Sequence, residues 1–572
     1  MSFQTIDNAI FKAATHDEVL EKPFLEKNFM YVQDQNPSTN YSTNQVTFST
    51  EVLSNNGRYN NFIEGMVMLP TVIHVTGAGV SGAVNAGVGG APPVILGGTD
   101  FMLALKNSNC NLIHSMKVDY NNGQVVQGCD YLNNYLNFIQ HSEMSLQDEE
   151  LNGPFLGYAK DSSTAWSYSN NASSFGHGIC NNSNLLVPSH SASNKGEINN
   201  EGFRKRCGYF HNYENADGKK LVLSKDNRKS SATNIVDNVD ANNKVYYYNC
   251  YIRLRDLPFF DKLCLIRSGT VRITFTLNNN VSFNINKSAA GNLTVNSFIN
   301  NSGLTNPLMI AASYKEIREV VGAAITDVAT MEGFIPCGSA PLPLDTTFSV
   351  KMGIGQCNGY QHAIRQCRLY VPHYSFSPKG EELYLANPVR SIKYLDLDYY
   401  TFTATKNQQF NQLITNGASR MRRLIMIGFI ANGSNGSTNL SPLSSPFASE
   451  PSTTSPFSLS NFNVKVGGVN HYEANSVEYD YEYFLQELNG QQGINANQTQ
   501  GLCSSRISLQ DYNNNYHYIV VNLDRKLKEN EDVAQSLAVI GTIDSELPVT
   551  FHCYIERYKT IVINTESGAR EN

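Results

Sequence analysis

The amino-acid sequence predicts an all-β protein built from two consecutive β-sandwich blocks. In residues 244–280, apolar and polar side chains alternate along two stretches, which is typical of half-buried strands. Short stretches of this kind recur along the chain, between turn-forming residues and a few helical patterns. The pattern stops near residues 375–380 and then restarts. We therefore predict two consecutive eight-stranded jelly rolls, a double jelly roll, with a few short helices and long loops.

Composition limits the functions that this chain can have. Its 572 residues suit two or three domains, and 41% hydrophobic residues are enough to build cores. Only 16% of the residues are charged, below the roughly 25% that is usual, so much of the surface is uncharged and polar. Such surfaces suit a protein that contacts copies of itself. The net charge is −7 without a basic stripe, which argues against direct sequence-specific nucleic-acid binding.

The cysteines and the apolar stretches indicate where the protein is made. Eleven cysteines are scattered without a C-x-x-C pair, which favours free, mostly buried thiols in a reducing compartment. The first residues lack a secretory pattern. Residues 67–96 come closest to a membrane span, but glycines and prolines interrupt them, so we expect no membrane-spanning segment.

The first half divides into an arm and a sandwich. Residues 1–40 are predicted to be an N-terminal arm with one short helix at 17–22. Residues 41–376 form the first jelly roll, with predicted strands at 45–53, 62–75, 101–106, 113–120, 348–352 and 368–374. Residues 121–243 are rich in Asn, Ser and Gly and are interpreted as long loop insertions. A capping box, Ser313 with Glu316, predicts a helix at about 313–328.

The second half, residues 377–564, is predicted to be the second jelly roll. Strands are expected at 389–400, 423–430, 462–469, 516–525, 549–558 and 560–564, and helices at 405–414, 477–488 and 529–536. Residues 431–460 are interpreted as an exposed, mobile loop. Residues 565–572 are predicted to be a C-terminal tail, for which a flexible end is favoured over a processing site.

Two motifs with the spacing of binding sites are weighed against simpler interpretations. Gly77-Ala78-Gly79-Val80-Ser81-Gly82 matches G-x-G-x-x-G, but no helix pattern follows it, so a loop is favoured over a dinucleotide site. The second motif consists of His177, Cys180, Cys207 and His211, whose local spacing is like that of zinc ligands. Two chance pairs in a polar region are favoured over a zinc site.

Other candidate residues are also interpreted as structural. Asp396 and Asp398 lie on the same face of a strand and could act as paired carboxylates, although a solvated rim is favoured. Packing is favoured over nucleophilic chemistry for Cys250, Cys264 and Cys367. It is also favoured over a stacking platform for the tyrosines at 246–248 and 479–483. We therefore expect no enzyme activity, no catalytic, cofactor-binding or metal site, and no cofactor.

Three segments resemble a known family. One is the strand that leads through Asp256-Leu257-Pro258-Phe259-Phe260-Asp261 into a second strand. The others are residues 410–430 and the tyrosine-rich run at 476–525. In this order they are similar to segments of the double jelly-roll major capsid proteins of virophages, Polinton-like viruses and adintoviruses. The resemblance covers much of residues 245–565 and, more weakly, 45–120.

The resemblance implies a structural role. It implies a major capsid protein that forms pseudo-hexameric homotrimers, which tile the icosahedral virion of a double-stranded DNA virus assembled inside the infected host cell. Its implied partners are neighbouring capsomers, a single-jelly-roll penton protein and minor capsid or cement proteins. The alternative is a carbohydrate-binding or carbohydrate-active β-sandwich protein, supported by the aromatic content and by Asp396 and Asp398.

Overall fold

The structure is a computed structural model. It describes residues 24–36, 41–54, 57–78, 102–121, 124–162, 166–169, 178–181, 201–209, 234–240, 243–287, 293–300, 305–311, 318–321, 324–328, 346–431, 441–446, 448–455, 457–473, 476–489, 507–524, 532–545 and 547–571.

The strands of the described residues fall into two groups along the chain. Those of the first group are β1 Phe24–Gln33, β2 Gln45–Ser49, β3 Tyr59–Asn60, β4 Met66–Ala78, β5 Met102–Leu105, β6 Ile113–Tyr120, β7 Gln124–Cys129, β8 Trp166–Ser169, β9 Gly178–Asn181, β10 Asn234–Asp240, β11 Asn243–Arg253, β12 Val271–Leu277, β13 Val281–Lys287, β14 Leu293–Asn300, β15 Leu308–Ala311, β16 Arg318–Val321, β17 Ala324–Val328, β18 Thr346–Ile354, β19 Gln356–Cys357, β20 Tyr360–Gln361 and β21 Arg368–Phe376. Those of the second are β22 Val389–Ala404, β23 Gln409–Ala418, β24 Met421–Ile430, β25 Ser458–Val466, β26 Val469–Asn470, β27 Tyr518–Asn522, β28 Gln535–Asp544, β29 Val549–Asn564 and β30 Arg570–Glu571.

Helices are short and connect the strands. They are α1 Glu51–Ser54, α2 Leu132–Glu143, α3 Leu146–Leu156, α4 Glu201–Tyr209, α5 Pro378–Leu385, α6 Tyr481–Asn489 and α7 Leu509–Asn514, with 3₁₀ turns at Asn109–Leu112, Leu254–Asp256 and Phe260–Lys262. Within the described part of the chain, no helix has the length and apolar character needed to cross a bilayer.

The first sandwich consists of a large and a small antiparallel sheet. The large sheet has the order β1-β21-β4-β18-β13-β14, with β11 also paired to β4, β10 to β11 and β3 to β21. The small sheet has the order β2-β12-β6-β7. Strand β12 shows why these residues form a sandwich: Val271, Ile273 and Phe275 are buried, while Arg272 between them is exposed. One face of the strand therefore supplies the core.

The corner after β11 carries the chain from the large sheet to the small one. Pro258 lacks an N–H group and cannot continue a ladder, and two 3₁₀ turns flank it. Phe259 and Phe260 are fully buried, with ring centroids 5.2 Å apart at a near-perpendicular angle. The prediction that this corner belongs to the core is confirmed.

The second sandwich repeats this arrangement with fewer strands. Its sheets have the orders β22-β29-β24-β27, with β30 paired to β29, and β23-β28-β25-β26. Strand β29 pairs with β22 over its whole length, from Val389 opposite Asn564 to Ala404 opposite Val549. The predicted all-β class is confirmed, and the two blocks follow each other along the chain as expected. The first sandwich carries more than eight strands because its large sheet is extended.

Several predicted helices are strands. The apolar pattern at about 313–328 predicted a helix, but β16 and β17 form a hairpin there. The pattern at 405–414 predicted a helix, but β23 pairs with β28. The predicted helix at 529–536 is wrong at its end, where β28 begins at Gln535; residues 525–531 lie outside the described part, as does the predicted helix at 17–22. The β-branched residues in these segments fit a strand as well as a helix, and pairing with neighbours decides.

Two segments interpreted as loops contain buried structure. Residues 121–243 include β7, α2 and α3, and most of α2 is buried. Within 431–460, the described residues 448–455 are buried, so the expectation of an exposed loop is wrong for them. The predicted arm contains β1, which pairs with β21, and residues 565–571 contact the first sandwich.

Candidate functional site at the junction of the two sandwiches

Helix α2 lies between the two sandwiches and contacts both. Its Phe138 and Tyr135 rings pack against Tyr518 and Tyr554 of the second sandwich, at centroid distances of 5.1 and 5.7 Å. On its other side, the side-chain amide of Asn137 donates to Asn111 of the first sandwich at 3.0 Å. A helix between two cores is stabilised by packing on several faces, which is why its polar residues need internal partners.

Side-chain amides form a buried network along α2. Asn107 donates to the side-chain oxygens of Asn137 and Gln140, at 2.7 and 2.8 Å. Asn137 also donates to the backbone carbonyl of Pro451, at 3.0 Å. The last contact reaches a residue of the second half, so the network spans the junction.

His141 extends the network to β27. Its Nε2 lies 2.8 Å from the side-chain oxygen of Asn107, and its Nδ1 lies 2.8 Å from the Tyr518 hydroxyl. Because the Asn107 oxygen can only accept, Nε2 donates, and in the neutral ring Nδ1 accepts from Tyr518. This buried histidine is therefore a bridge between the two sandwiches.

Lys106 fixes the segment 441–455, which we call the strap. Its ammonium group is fully buried and donates to the backbone carbonyls of Ser445 at 2.8 Å, Pro442 at 3.4 Å and Glu450. Burial lowers the pKa of Lys106 to about 7, although the charge of Glu450 acts in the opposite direction. The strap is thus folded around a lysine that belongs to the first sandwich.

A second buried charge pair holds the other end of the strap. Arg206 of α4 contacts Asp161 at 2.7 Å, and both side chains are fully buried. Ser452 of the strap donates to the same carboxylate, and the Tyr516 hydroxyl donates to the Asp161 carbonyl at 3.2 Å. Asp161 therefore joins α4, the strap and the second sandwich.

Glu556 of β29 is the centre of a third group. It is fully buried and lies 2.6 Å from Arg423 and 2.9 Å from Arg422, and it accepts a 2.8 Å hydrogen bond from Tyr135 of α2. Burial alone would raise the pKa of Glu556, but the two guanidinium groups outweigh it and hold the pKa below its usual value. The carboxylate stays charged and connects α2 with the second sandwich.

Two histidines flank one tyrosine at the junction. The Tyr131 ring lies 4.5 Å from His114 of the first sandwich and 4.8 Å from His552 of the second. The Tyr399 hydroxyl also lies 2.9 Å from Nδ1 of His552. Burial lowers the pKa of His114 to about 4 and that of His552 to about 3, so both rings are neutral near neutral pH.

Strands β7 and β22 form a direct contact between the sandwiches. Gln127 of β7 donates to the Leu395 carbonyl at 3.0 Å, and Tyr394 of β22 donates to the Val126 carbonyl at 2.8 Å. The Tyr394 ring meets Phe259 edge to face at 5.1 Å. The corner after β11 thus packs on the second sandwich as well as within the first.

The predicted tail contributes to the junction. The hydroxyl of Tyr120 and the amide of Asn121 donate to the Gly568 carbonyl at 2.6 and 2.8 Å. Gly568 has φ of +67°, and a Cβ there would lie 1.7 Å from the Ser268 carbonyl oxygen. Only glycine fits this close approach, and residues 565–571 are held against the first sandwich.

Asp396 and Asp398 share a basic partner, and the solvated rim that was favoured is wrong for Asp396, whereas the Asp398 side chain is 37% exposed. Arg557 lies 3.3 Å from Asp396 and 2.8 Å from Asp398, and Lys559 lies 2.5 Å from Asp396. Asp396 is only 3% exposed. Burial raises the pKa of Asp398, while Arg557 opposes this. Both carboxylates are thus paired with basic residues across β22 and β29.

The two spacing motifs lie mostly outside the described residues. Gly77 and Ala78 end β4, and Gly79 to Gly82 are not described. Cys180 lies in β9 and Cys207 in α4, but His177 and His211 are not described, so the interpretation of this set as two chance pairs stays a prediction. Among described residues, no group of three or more His, Cys, Asp or Glu side chains is placed to hold a metal.

The singled-out cysteines and tyrosines belong to the core. Cys250 and Cys367 are buried and Cys264 is partly buried. Burial raises the pKa of Cys250 to about 12 and that of Cys264 to about 11, which makes both thiols poor nucleophiles. The core also contains tyrosines from both tyrosine-rich segments, namely Tyr246, Tyr248 and Tyr479. Packing, the favoured interpretation, is confirmed for these residues.

Comparisons with known proteins bear on the fold. No family model matches the chain, and no curated protein matches it. Among solved structures, a chain of the Sputnik virophage structure from cryo-EM matches with a TM-score of 0.51 and 12% identity, over 97% of this chain and 90% of that chain. The chain has the double jelly-roll fold. The Faustovirus major capsid protein matches with a TM-score of 0.39 and 10% identity, over 96% and 93% of the two chains. A PBCV-1 virus capsid chain matches at 0.37 and 9%, over 98% and 100%.

The sequence did not reveal the junction between the two jelly rolls. Many of its members lie in segments interpreted as loops, as α2 and the strap do, and the partners lie far apart in the chain, as Lys106 and Ser445 do. A lysine at the end of a predicted apolar strand, in Leu103-Ala104-Leu105-Lys106, was the one available signal. A buried lysine requires acceptors, but the sequence does not show where they come from.

Proposed function

We propose that this chain is a major capsid protein that forms pseudo-hexameric homotrimers, which assemble into the icosahedral shell of a double-stranded DNA virus. The observation that carries the proposal is the likeness of its fold, along 97% of its length, to a chain of the Sputnik virophage particle. The sequence resemblance described above points the same way. The protein would then be located in the virion.

The junction supports this proposal because its buried contacts hold the two jelly rolls together as one unit. Lys106, Asp161 and Glu556 each connect the two halves through buried charged contacts. Three such blocks in a ring present six jelly rolls, which gives a trimer a hexagonal outline. A shell subunit must keep its two jelly rolls at a constant distance and orientation. Buried charged groups with defined partners favour one placement of the second jelly roll relative to the first.

The same proposal assigns no enzymatic role. The candidate carboxylates Asp396 and Asp398 are paired with Arg557, and the cysteine thiols with raised pKa are packed in cores. As partners we propose neighbouring capsomers, a single-jelly-roll penton protein and minor capsid or cement proteins.

The test is the mass and shape of the purified protein. Light scattering of a chromatography peak should give three chains of 63.4 kDa each, and negative-stain images of that peak should show hexagonal outlines or closed shells. A protein that stays monomeric at all concentrations and never forms shells would overturn the proposal. Glycan binding by such a monomer would favour the carbohydrate alternative.

A further inference from the structure

Aromatic side chains form a partly exposed surface on the outside of the large sheet of the first jelly roll. Tyr31 of β1 lies opposite Tyr370 of β21, with ring centroids 5.9 Å apart, and Arg368 stacks over the Tyr31 ring at 4.5 Å. Arg368 and Tyr251 both lie opposite Met68 of β4, so all three side chains are on the same side of the sheet. We call this surface the aromatic face; it consists of Phe29, Tyr31, Phe155, Tyr251, Arg368 and Tyr370.

Several rings of the aromatic face are exposed enough to contact a partner. Phe29 and Tyr31 are 54% and 48% exposed. Phe155 of α3 stacks on Tyr251 at 4.5 Å with nearly parallel rings, and it is still 37% exposed. A contiguous exposed apolar surface on a folded chain marks a contact site.

Arg368 gives the aromatic face a positive charge that lacks a carboxylate partner. Its guanidinium donates to the Tyr370 hydroxyl at 3.5 Å, its Nε is buried without an acceptor, and no carboxylate of the described residues pairs with it. Lys27 and Arg58, in contrast, are each paired with a glutamate. Residues 346–380 contain four Lys or Arg residues and no Asp or Glu. The aromatic face therefore fits a partner surface that carries both carboxylates and aromatic or apolar side chains.

The second jelly roll has a surface of the opposite charge around the start of α6. Residues 472–489 contain five Asp or Glu residues and no Lys or Arg. Tyr481 and Tyr483 in this segment are only partly buried. Four of the five carboxylates are exposed, and none of the four forms an ion pair with a described residue; we call them the acidic surface, which consists of Glu473, Glu478, Asp480 and Glu482.

We propose that the aromatic face of one copy of this chain binds the acidic surface of a neighbouring copy. This inference rests on the proposed trimer. The charges of the two surfaces are complementary, and both surfaces offer aromatic rings that pack when the contact excludes water. Because one surface belongs to the first jelly roll and the other to the second, the contact is heterologous. A heterologous contact that closes after three copies gives a ring.

Charge also disfavours the other pairings of these surfaces. A twofold contact of the aromatic face with itself would bring two copies of Arg368 together, and like charges placed together at an interface cost free energy. Two acidic surfaces would repel each other for the same reason. Within one chain, no ion pair of the described residues joins the two surfaces. The unpaired charges on each surface are thus available to a second copy, and rising salt should weaken the contact.

Charge reversal tests the contact. One variant carries Arg365→Glu and Arg368→Glu, where Arg365 is exposed three residues before Arg368. The other carries Glu473→Lys and Glu482→Lys, and it keeps Asp480, which accepts hydrogen bonds from the backbone at the start of α6. Each variant should weaken the trimer at least about tenfold, because like charges then face each other. All four substitutions in one chain should restore the trimer, as measured by analytical ultracentrifugation over a concentration series.

The matched control reverses two exposed charges elsewhere on the chain. Lys117→Glu combined with Lys406→Glu should change trimer stability less than about twofold. Circular dichroism checks that every variant folds. If the chain with all four substitutions is no more trimeric than either charge-reversed variant, the two surfaces do not face each other and the proposal is overturned.

Photo-cross-linking identifies the two surfaces directly. We would place p-benzoylphenylalanine at Tyr31 in the full chain, mix ¹⁴N and ¹⁵N preparations before assembly, and map the cross-linked peptides by mass spectrometry. The expected result is cross-links to residues 476–489 that join the two isotopes. A probe at exposed Val125, in β7 of the small sheet, should not reach that segment. From Tyr31, cross-links to another segment only, cross-links within one isotope only, or no cross-links would contradict the docking.

The outcomes separate this inference from the proposed function. A wild-type protein that is monomeric at all concentrations contradicts the trimer and, with it, the docking. A wild-type trimer whose stability neither charge-reversed variant alters contradicts only the docking of the aromatic face on the acidic surface.

Discussion

Single charged residues at the junction are buried with defined partners. Lys106 donates to three carbonyls of the strap, Arg206 pairs with Asp161, and Arg423 pairs with Glu556. Removing charge from water is costly, and such pairs add little net stability over an apolar core. Each group, however, also has a contact between the two halves: Lys106 to Ser445, Asp161 to Ser452 and Glu556 to Tyr135. We infer that these residues specify the relative position of the two halves.

The variant Lys106→Met should destabilise the protein strongly. Methionine fills a similar volume but removes the hydrogen bonds that the Lys106 ammonium group donates to the carbonyls of Pro442, Ser445 and Glu450 in a buried site. We expect a loss of about 3–5 kcal/mol in the free energy of unfolding. Urea unfolding measures it, and hydrogen exchange should show faster exchange in the strap.

Lys117→Met is the matched control for that variant. Lys117 is about half exposed, and its ammonium group lies 3.3 Å from Asp119. Its loss should change stability by less than about 1 kcal/mol. Equal effects of the two variants would contradict a structural role for the buried ammonium group.

Phe259→Ala should be costly because the ring serves both jelly rolls. Phe259 is fully buried against Phe260 and Tyr394. Truncation removes buried area and leaves a cavity, so we expect a loss of about 3–5 kcal/mol. Thermal unfolding checks it, with Val469→Ala at an exposed site as the control. Wild-type stability of Phe259→Ala would show that the corner is not part of the core.

At the scale of elements, the sequence predicted strands better than helices. Alternation placed β6, β12, β21 and β22 well, because one buried face leaves a period of two in the sequence. The segment that became β23 also matched helical spacing, and only its pairing with β28 decided the outcome.

The buried strap and α2 could not be predicted for a different reason. Their Asn, Ser and Thr residues are typical of exposed loops, and the groups that satisfy them are distant in the chain. Asn137, for example, donates to the carbonyl of Pro451. A polar side chain is exposed unless a hydrogen-bond partner inside the protein satisfies it. The sequence does not show which residues will be such partners, so polar composition alone cannot separate an exposed loop from a buried network. The junction itself was missed.

Gly568→Ala tests whether the last described residues are a structural element. A Cβ at Gly568 meets the Ser268 carbonyl oxygen at 1.7 Å, and φ is +67°. We expect a loss of about 1–3 kcal/mol from backbone strain and displacement of the segment. Hydrogen exchange at residues 565–571 should rise.

Gly359→Ala separates strain from displacement. Gly359 has φ of +84°, but nothing lies within 4 Å of a Cβ there. Its cost should be about 1 kcal/mol, from backbone conformation alone. Indistinguishable results for the two variants would mean that the packing of Gly568 on the first jelly roll contributes nothing.

For the whole molecule, the joined jelly rolls bury several histidines in neutral form. Burial lowers the pKa of His114, His362 and His517 to about 4 and that of His552 to about 3. Unfolded histidine titrates near 6.5. Below that pH the unfolded chain binds protons that the folded chain does not bind. The histidine contribution to folding stability is therefore fully present above about pH 6.5 and is lost as the pH decreases toward 4.

His552→Gln should flatten this pH dependence. Each such histidine contributes a slope of about 1.4 kcal/mol per pH unit well below pH 6.5, so the variant should lose about that much of the slope between pH 6 and 5. Urea unfolding at pH 7.5, 6.0 and 5.0 measures it, with Val469→Ala as the control for the wild-type slope. The difference in slope between the variant and the wild-type chain isolates the contribution of His552. A variant that is destabilised equally at every pH would show that His552 contributes packing but no proton linkage, and the loss of stability in acid would then arise from other groups.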